Sequence, residues 1–425
     1  MIQILYRVWP LLLGILLIML GNGMHFTLIG LRGGIEGFTS AELAIVTSGY
    51  FMGFLAGARL SPLMIKRVGH VRVFAALGSF MSAGLIAFPL VTEPWVWTFL
   101  RLIVGFCMSG IYVAAESWLN NAATNENRGK VLSAYMTAQT LGIIGAQGLL
   151  TLADAGTSVL FICASILVSI SFAPILLSAT PVPVVDVARP MSLRDLFRGS
   201  PLGTVGIFLL GGIFATQSGM SAVFGTQIGL TASQVSMFVA MLFAGALVLQ
   251  HPIGWLSDRM DRRNLIFGAA ILGLISCTIG WFTSGGLLLL MVSAFFAGGV
   301  TTPLYALFLA HANDTLSSED MPAASGALVF TFGLGAIAGP LISGWAMQRF
   351  GPFAFWLVLG ATFGAIALYA LYRMTQRKAT PIDETESYIG VLPTSSIVAV
   401  EAAGAWSAEK AEAEREDDVK AQQEN

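Results

Sequence analysis

An all-α polytopic membrane fold, with twelve transmembrane helices in two pseudo-symmetric six-helix bundles, is predicted by three features of this chain. Twelve hydrophobic segments fill residues 9–374 of 425. Lysine and arginine collect on one side of them, and the two sets of six repeat each other at a nearly constant offset. With 56% hydrophobic and 11% charged residues and a mean hydropathy of +0.77, the chain has the composition of a bilayer-embedded protein.

The segments cover roughly 9–31, 43–65, 73–92, 95–119, 131–153, 157–178, 203–226, 232–256, 264–283, 286–309, 323–347 and 352–374. Each stays apolar on all sides for about 20 residues, the length that crosses a hydrocarbon core of ~30 Å. Backbone groups in hydrocarbon need internal partners, so a span is a helix or belongs to a closed barrel. Barrel strands alternate over about 10 residues, and runs such as Trp9–Leu31 do not. These segments define a first bundle (1–179), a linker (180–201), a second bundle (202–378) and a tail (379–425). The linker carries Pro181, Pro183 and Pro190, then an amphipathic Ser192–Arg198 stretch that reads as a short surface helix. The tail is rich in Glu, Ala, Asp and Gln and reads as a disordered acidic extension.

Fifteen lysines and arginines from Arg7 to Lys378 fall on one side of the segments, and only Arg32 and Arg349 on the other. This split orients both termini and the linker toward the cytoplasm of a bacterial inner membrane. The net charge of −2 and the lack of a basic patch speak against nucleic-acid binding. Cys107, Cys163 and Cys277 lie within hydrophobic segments without metal-ligand spacing, so neither a metal nor another cofactor is expected. His25, His70, His251 and His311 are dispersed, no H-E-x-x-H occurs, and no G-x-x-x-x-G-K-[ST] phosphate loop occurs. An enzyme and an ATP-driven pump are therefore disfavoured.

The internal repeat is read residue by residue. Lys66–His70 falls on Asp258–Arg262 at an offset of 192, and Tyr112 falls on Tyr305 at 193. Gly23-Met24 falls on Gly219-Met220 at 196, and Gly129 and Gly142 fall on Gly326 and Gly339 at 197. A duplicated six-helix unit accounts for these matches.

Gly254-Trp-Leu-Ser-Asp258-Arg259-Met-Asp261-Arg262-Arg263 resembles the loop motif of the major facilitator superfamily, with Asp261 replacing a glycine. The copy after the second segment keeps Arg67 and Gly69 but has Lys66 in place of the acid. Arg101-Leu-Ile-Val-Gly105 is similar to the family's R-x-x-x-G motif. Gly335-Ala-Ile-Ala-Gly339-Pro340 resembles the glycine–proline motif of antiporters, displaced here from segment five to segment eleven. Glu116–Asn120 and Leu309–Asp314 resemble the YcaD-like branch of bacterial members. The resemblance implies the major facilitator fold and a secondary active transporter of a small organic solute. It further implies alternating access, a monomer in the lipid bilayer, coupling to protons and export over uptake.

Candidate residues follow from that reading. The resemblance implies a cavity between the halves lined by segments one, four, seven and ten, which makes Asn22, His25, Tyr112, Gln217, Ser221 and Tyr305 its expected lining. Ionisable residues within spans are costly, so Arg101, Arg59, Glu116 and His251 are coupling candidates. Arg59 needs a partner, and Glu116 is the acidic candidate near the same end. Asp258 of the loop motif is expected to latch onto Arg128 at the start of segment five, with Arg259 beside it in the same cytoplasmic gate. A second latch of reversed polarity joins Lys66 and Arg67 to Glu319 and Asp320. Gly142, Gly145, Gly335, Gly339 and Pro340 are expected to permit close helix packing or a hinge. The alternative from a different class is a non-transporting sensor or scaffold that signals through the tail.

Overall fold

The computed structural model describes residues 2–123, 127–176, 191–283, 286–316, 320–376 and 388–407, and among them no strand occurs. The first half comprises α1 (Ile2–Ile35), α2 (Ser40–Val68), α3 (His70–Ala87), α4 (Pro94–Ala122), α5 (Arg128–Leu149) and α6 (Val159–Leu176). A short helix, α7 (Leu193–Gly199), is capped by Ser192, whose hydroxyl accepts the Asp195 N–H. The second half comprises α8 (Pro201–Gln227), α9 (Ala232–Ser257), α10 (Arg262–Phe282), α11 (Leu287–Asn313), α12 (Met321–Phe350) and α13 (Ala354–Gln376). A further helix, α14 (Ile397–Ser407), follows.

Ten helices among the described residues are long and apolar enough to cross a membrane. The two that fall short of the twelve expected are α5 and α6. Gln139, Thr140 and Gln147 lower the apolarity of α5, and the apolar part of α6 is the shorter Val159–Pro174.

The repeat has a structural counterpart in how the helices start. Thr39 and Glu42 form a capping box at α2, with Thr39 Oγ1 accepting the Glu42 N–H at 3.2 Å and Glu42 Oε2 accepting the Thr39 N–H at 2.8 Å. Thr231 and Gln234 repeat it at α9, at 3.3 and 2.9 Å, and so satisfy the donors that a helix start otherwise leaves unpaired. The turns before them pivot on Gly37 and Gly229, at φ +80° and +81°, a region disfavoured for side-chain-bearing residues.

Packing repeats as well. Gly53 of α2 meets the carbonyl of Leu102, and Gly105 of α4 meets that of Tyr50; a Cβ at either would collide with that backbone. In the second half Gly245 of α9 meets the Phe295 carbonyl, and Gly298 of α11 meets the Leu242 backbone. In a bilayer the solvent gives apolar helices little reason to associate, so such close approaches carry the packing. Gly142 sits against the Leu16 carbonyl and Met19, Gly335 against the Phe208 carbonyl and Gly339 against Gly212, while Gly145 faces the Leu20 side chain.

Residues 388–407 depart from the expectation of a disordered tail. They are ordered between the halves, with Val391, Leu392, Ser395, Ser396, Ala399 and Val400 buried. The acidic composition of residues 379–425 as a whole masks an apolar stretch, Tyr388–Val400, able to offset part of its ordering cost by burial.

Candidate functional site

The two halves meet tightly at the end of the bundle that is poor in lysine and arginine. Gly30 of α1 lies against Ala222 of α8, Thr47 of α2 against Gly219, and Gly344 of α12 against the Ser40 carbonyl. The Gln227 amide donates to Ser40 Oγ at 2.5 Å, and the Ser48 hydroxyl donates to the Ile337 carbonyl at 2.9 Å. Pro340 lacks an N–H, which loosens the backbone ladder of α12 at this turn and favours an outside donor such as Ser48. The opposite, basic end is filled by residues 388–407.

Between these ends lies a central chamber. Its walls include Asn22 and Phe26 of α1, Tyr50 of α2, Tyr112 of α4, Gln147 of α5 and Phe214 of α8, and Thr394 of the C-terminal segment closes it. Its free volume is about 40 Å³, room for water and far less than an organic ligand needs. The Thr27 hydroxyl donates to Gln147 Oε1 at 3.0 Å on this wall.

Of the expected cavity residues, Asn22 and Tyr112 line the chamber. His25 does not. It is turned into the first half, edge-on to Phe88 with ring centroids 4.5 Å apart, and its Nδ1 lies 3.3 Å from an Arg101 guanidinium nitrogen. One helical position from Phe26 is a turn of about 100°, enough to move a side chain from chamber wall to bundle core. Gln217 is spent on the Ala297 carbonyl at 3.1 Å, and the Ser221 hydroxyl returns to the Gln217 carbonyl at 2.5 Å. Tyr305 is buried edge-on against Phe332 at 5.4 Å. Sequence reasoning missed Tyr50 and Gln147 because it confined the lining to segments one, four, seven and ten, and it missed Phe26 and Phe214 because it found their helices but not their faces. The amide of Gln147 inside an apolar segment was the available signal.

Arg101 is fully buried, with its guanidinium carbon 4.1 Å from the Phe26 ring centroid and 5.2 Å from that of Tyr50. Two aromatic faces thus stand between this cation and the chamber, a favourable arrangement for a desolvated guanidinium. Arg59 is exposed and does not reach Glu116, and His251 is exposed on a groove beside α5. Glu116 is buried. Its Oε1 accepts from the Tyr135 hydroxyl at 3.0 Å, and its Oε2 accepts from the Ser396 backbone N–H at 2.8 Å.

Among the described residues, no ion pair of the expected latches is seen. Asp258 accepts the Tyr388 N–H at 2.7 Å, and no ion pair joins it to Arg128 among the described residues. Arg259 folds over Trp255, 4.3 Å from the ring centroid. Lys66 and Arg67 are exposed and enter no ion pair among the described residues; Glu319 lies outside those residues, and Asp320 occupies the N-cap position of α12. The motif's charges act within the second half instead. Arg262 pairs with Asp314, both side chains 2–3% exposed, and Arg262 Nε donates to Ser257 Oγ at 3.3 Å. Asp261 caps α10 and pairs with Arg263 at 2.8 Å. Burial pushes its carboxyl pKa up, but hydrogen bonds and charge from Arg263 outweigh this and hold it below the usual range.

The C-terminal segment bridges the halves. Tyr388 packs on Gly254, Gly390 on Gln250 and Trp406 on Gly129. Ser395 Oγ lies 3.8 Å from Met136 Sδ. A groove of about 560 Å³ remains beside it, walled by Lys130, Ser133 and Thr140 of α5 and by Gln250 and His251 of α9. Burial pushes the Glu401 carboxyl up to about 7. Because the docked segment holds this proton more tightly than the released one, docking is strongest below the released pKa of ~4.3. It weakens as pH rises to about 7 and is level above that. A nitroxide on exposed Ala405 is therefore expected to gain a mobile spectral component across this window, and Glu401→Gln to remove the change.

The chain matches the model of the Major Facilitator Superfamily over residues 11–231 and 202–410. It is similar to an uncharacterized MFS-type transporter, YcaD, of Escherichia fergusonii, at 25% identity over 374 residues, 88% of this chain and 97% of that one. A second relative, YfkF of Bacillus subtilis, also an uncharacterized MFS-type transporter, is 24% identical over 77% of this chain and 85% of its own. Among solved structures, the nucleoside transporter NupG superimposes with a TM-score of 0.72 at 16% identity, covering 87% of this chain and 99% of that one. A bacterial homolog of the human lysosomal transporter Spinster, in an inward-facing and occupied conformation, gives 0.66 at 14%, over 87% and 95%. Both likenesses are of fold.

Proposed function

The chain belongs to the Major Facilitator Superfamily of membrane transporters, and from this premise we propose that it is a secondary active transporter of a small organic solute. It works by alternating access, with twelve spans as two six-helix halves, both termini in the cytoplasm and the basic end facing it. The observation that carries the reading is a chamber with walls from both halves, tightly closed by protein–protein contacts at the end poor in lysine and arginine. Rocking the halves about this chamber would open that end and close the other.

Aromatic and amide walls with no acid at chamber depth favour an uncharged or cationic organic solute over a phosphate or dicarboxylate. Glu116, buried toward the basic end, is the proton-coupling candidate; Arg101 acts behind the chamber wall as a fixed cation. The protein works as a monomer in a bacterial inner membrane, and export is the favoured direction.

The test is purified protein in proteoliposomes with an internal pH dye, screened against organic compounds with and without an imposed proton gradient. Compound-dependent proton movement that Glu116→Gln abolishes is expected. Compounds crossing without protons would remove the coupling, and no compound crossing in either mode would remove the transporter reading.

A further inference from the structure

Glu116 is already occupied, and its occupant indicates what else it takes. A carboxylate with no donor of its own has one oxygen on the Tyr135 hydroxyl and presents the other to a backbone N–H, that of Ser396. Two residues earlier, Thr394 reaches the chamber wall where Tyr112 and Asn22 stand. Tyr388 is fixed on the opposite half by Asp258 and Gly254. The segment thus enters from the second half, crosses the basic end, leaves a hydroxyl in the chamber and an N–H on the buried acid, and exits as α14 with Trp406 on Gly129 of the first half.

We propose that residues 388–407 are a tethered competitor for the solute pathway, and that Glu116 is the acceptor the solute itself uses, which makes the solute class organic amines and amides bearing N–H. This rests on the transporter reading for the word solute, but the docking and its competition stand apart from it. Three features of the docked segment support competition over simple structural packing. It spans both halves, so it opposes closure of the basic end. Its Thr394 lines a chamber whose free volume is about 40 Å³. It also satisfies Asp258, the loop-motif carboxylate that would otherwise be available to α5. Withdrawal of the segment leaves Glu116 in an aromatic vestibule with an oxygen to fill, and an N–H donor fills it with a charge-assisted hydrogen bond.

The experiment uses the full chain with Met136→Cys and Ser395→Cys, side chains whose wild-type sulfur and oxygen atoms are 3.8 Å apart. Cross-linking of the two thiols by a short bifunctional methanethiosulfonate reagent reports docking in detergent or liposomes. Ser396→Pro removes the N–H given to Glu116 together with the hydroxyl that accepts the Val398 N–H at 3.2 Å, and Ser396→Ala, which removes the hydroxyl alone, separates the two contributions. The proline variant is expected to lower cross-linking about tenfold or more below the level of Ser396→Ala, as loss of a hydrogen bond to a charged group implies. The competing probes are 4-phenylbutylamine and its trimethylammonium analogue, equally cationic but without an N–H. The amine is expected to suppress cross-linking, and the analogue is not.

Absence of the cross-link in the parent double-cysteine protein would overturn the docking. Equal suppression by both probes, or by neither, would overturn Glu116 as an N–H acceptor for the solute. Cross-linking that responds to the amine in a protein that moves no compound in proteoliposomes would uphold the competition and refute the transporter reading instead.

Discussion

Asp314→Ala is expected to destabilise the protein by about 3–5 kcal/mol, the cost of leaving a buried charge without its counter-ion. Asp314 lies at the end of α11 and pairs with Arg262 at the start of α10; both side chains are almost wholly shielded. The Ser257 hydroxyl and the Ala310 carbonyl also touch the guanidinium, but neutral acceptors do not cancel its charge. The double change Arg262→Met with Asp314→Leu is expected to recover at least half of the loss, because apolar replacements of a buried pair are often near neutral. Thermal midpoints of detergent-solubilised variants read both effects. Asp314→Ala with an unchanged midpoint would mean that this clasp does not hold α10 to α11.

Gly335→Val is the second large effect, about 3 kcal/mol of overpacking. A Cβ at this position collides with the Phe208 carbonyl, and no rotamer relieves a contact with backbone. The helices α8 and α12 must then separate, and with them Gly339 from Gly212. Gly268→Ala in α10 is the control. Nothing lies within 4 Å of a Cβ there, so gained helix propensity, up to ~1 kcal/mol, is the expected result. Equal midpoints for the two variants would show that the α8–α12 approach contributes little.

Much of this architecture was legible because membrane helices advertise themselves by length, and because the repeat survived in the sequence. The offset of 192 that aligned Lys66 with Asp258 also relates Thr39 to Thr231 and Gly53 to Gly245, so the duplication reaches down to caps and backbone contacts. Side-chain direction was less legible. Asn22 and Tyr112 reached the chamber, whereas His25, one position from Phe26, did not, since segments apolar on every side give no stripe from which to read rotation.

Charge partners were least legible. Glu319 and Asp320 were set against Lys66 and Arg67 of the loop after α2, whereas the nearby Asp314 pairs with Arg262 within its own half. From sequence alone, two cations at the same membrane depth cannot be told apart. The C-terminal segment was hidden by averaging: Tyr388–Val400 is apolar, but acidic residues on both sides dominate the composition of the tail.

Alternating access is tested most directly by paired distance measurements between spin labels at both ends of the molecule. Lys66 with Arg259 spans the halves at the basic end, and Ile35 with Phe350 spans them at the other, all four being exposed. In lipid nanodiscs, across pH and with Ser396→Pro to release the C-terminal segment, two populations are predicted at each end. A shorter Lys66–Arg259 distance should accompany a longer Ile35–Phe350 distance. A single distribution at both ends, unmoved by pH and by release of the segment, would contradict the account.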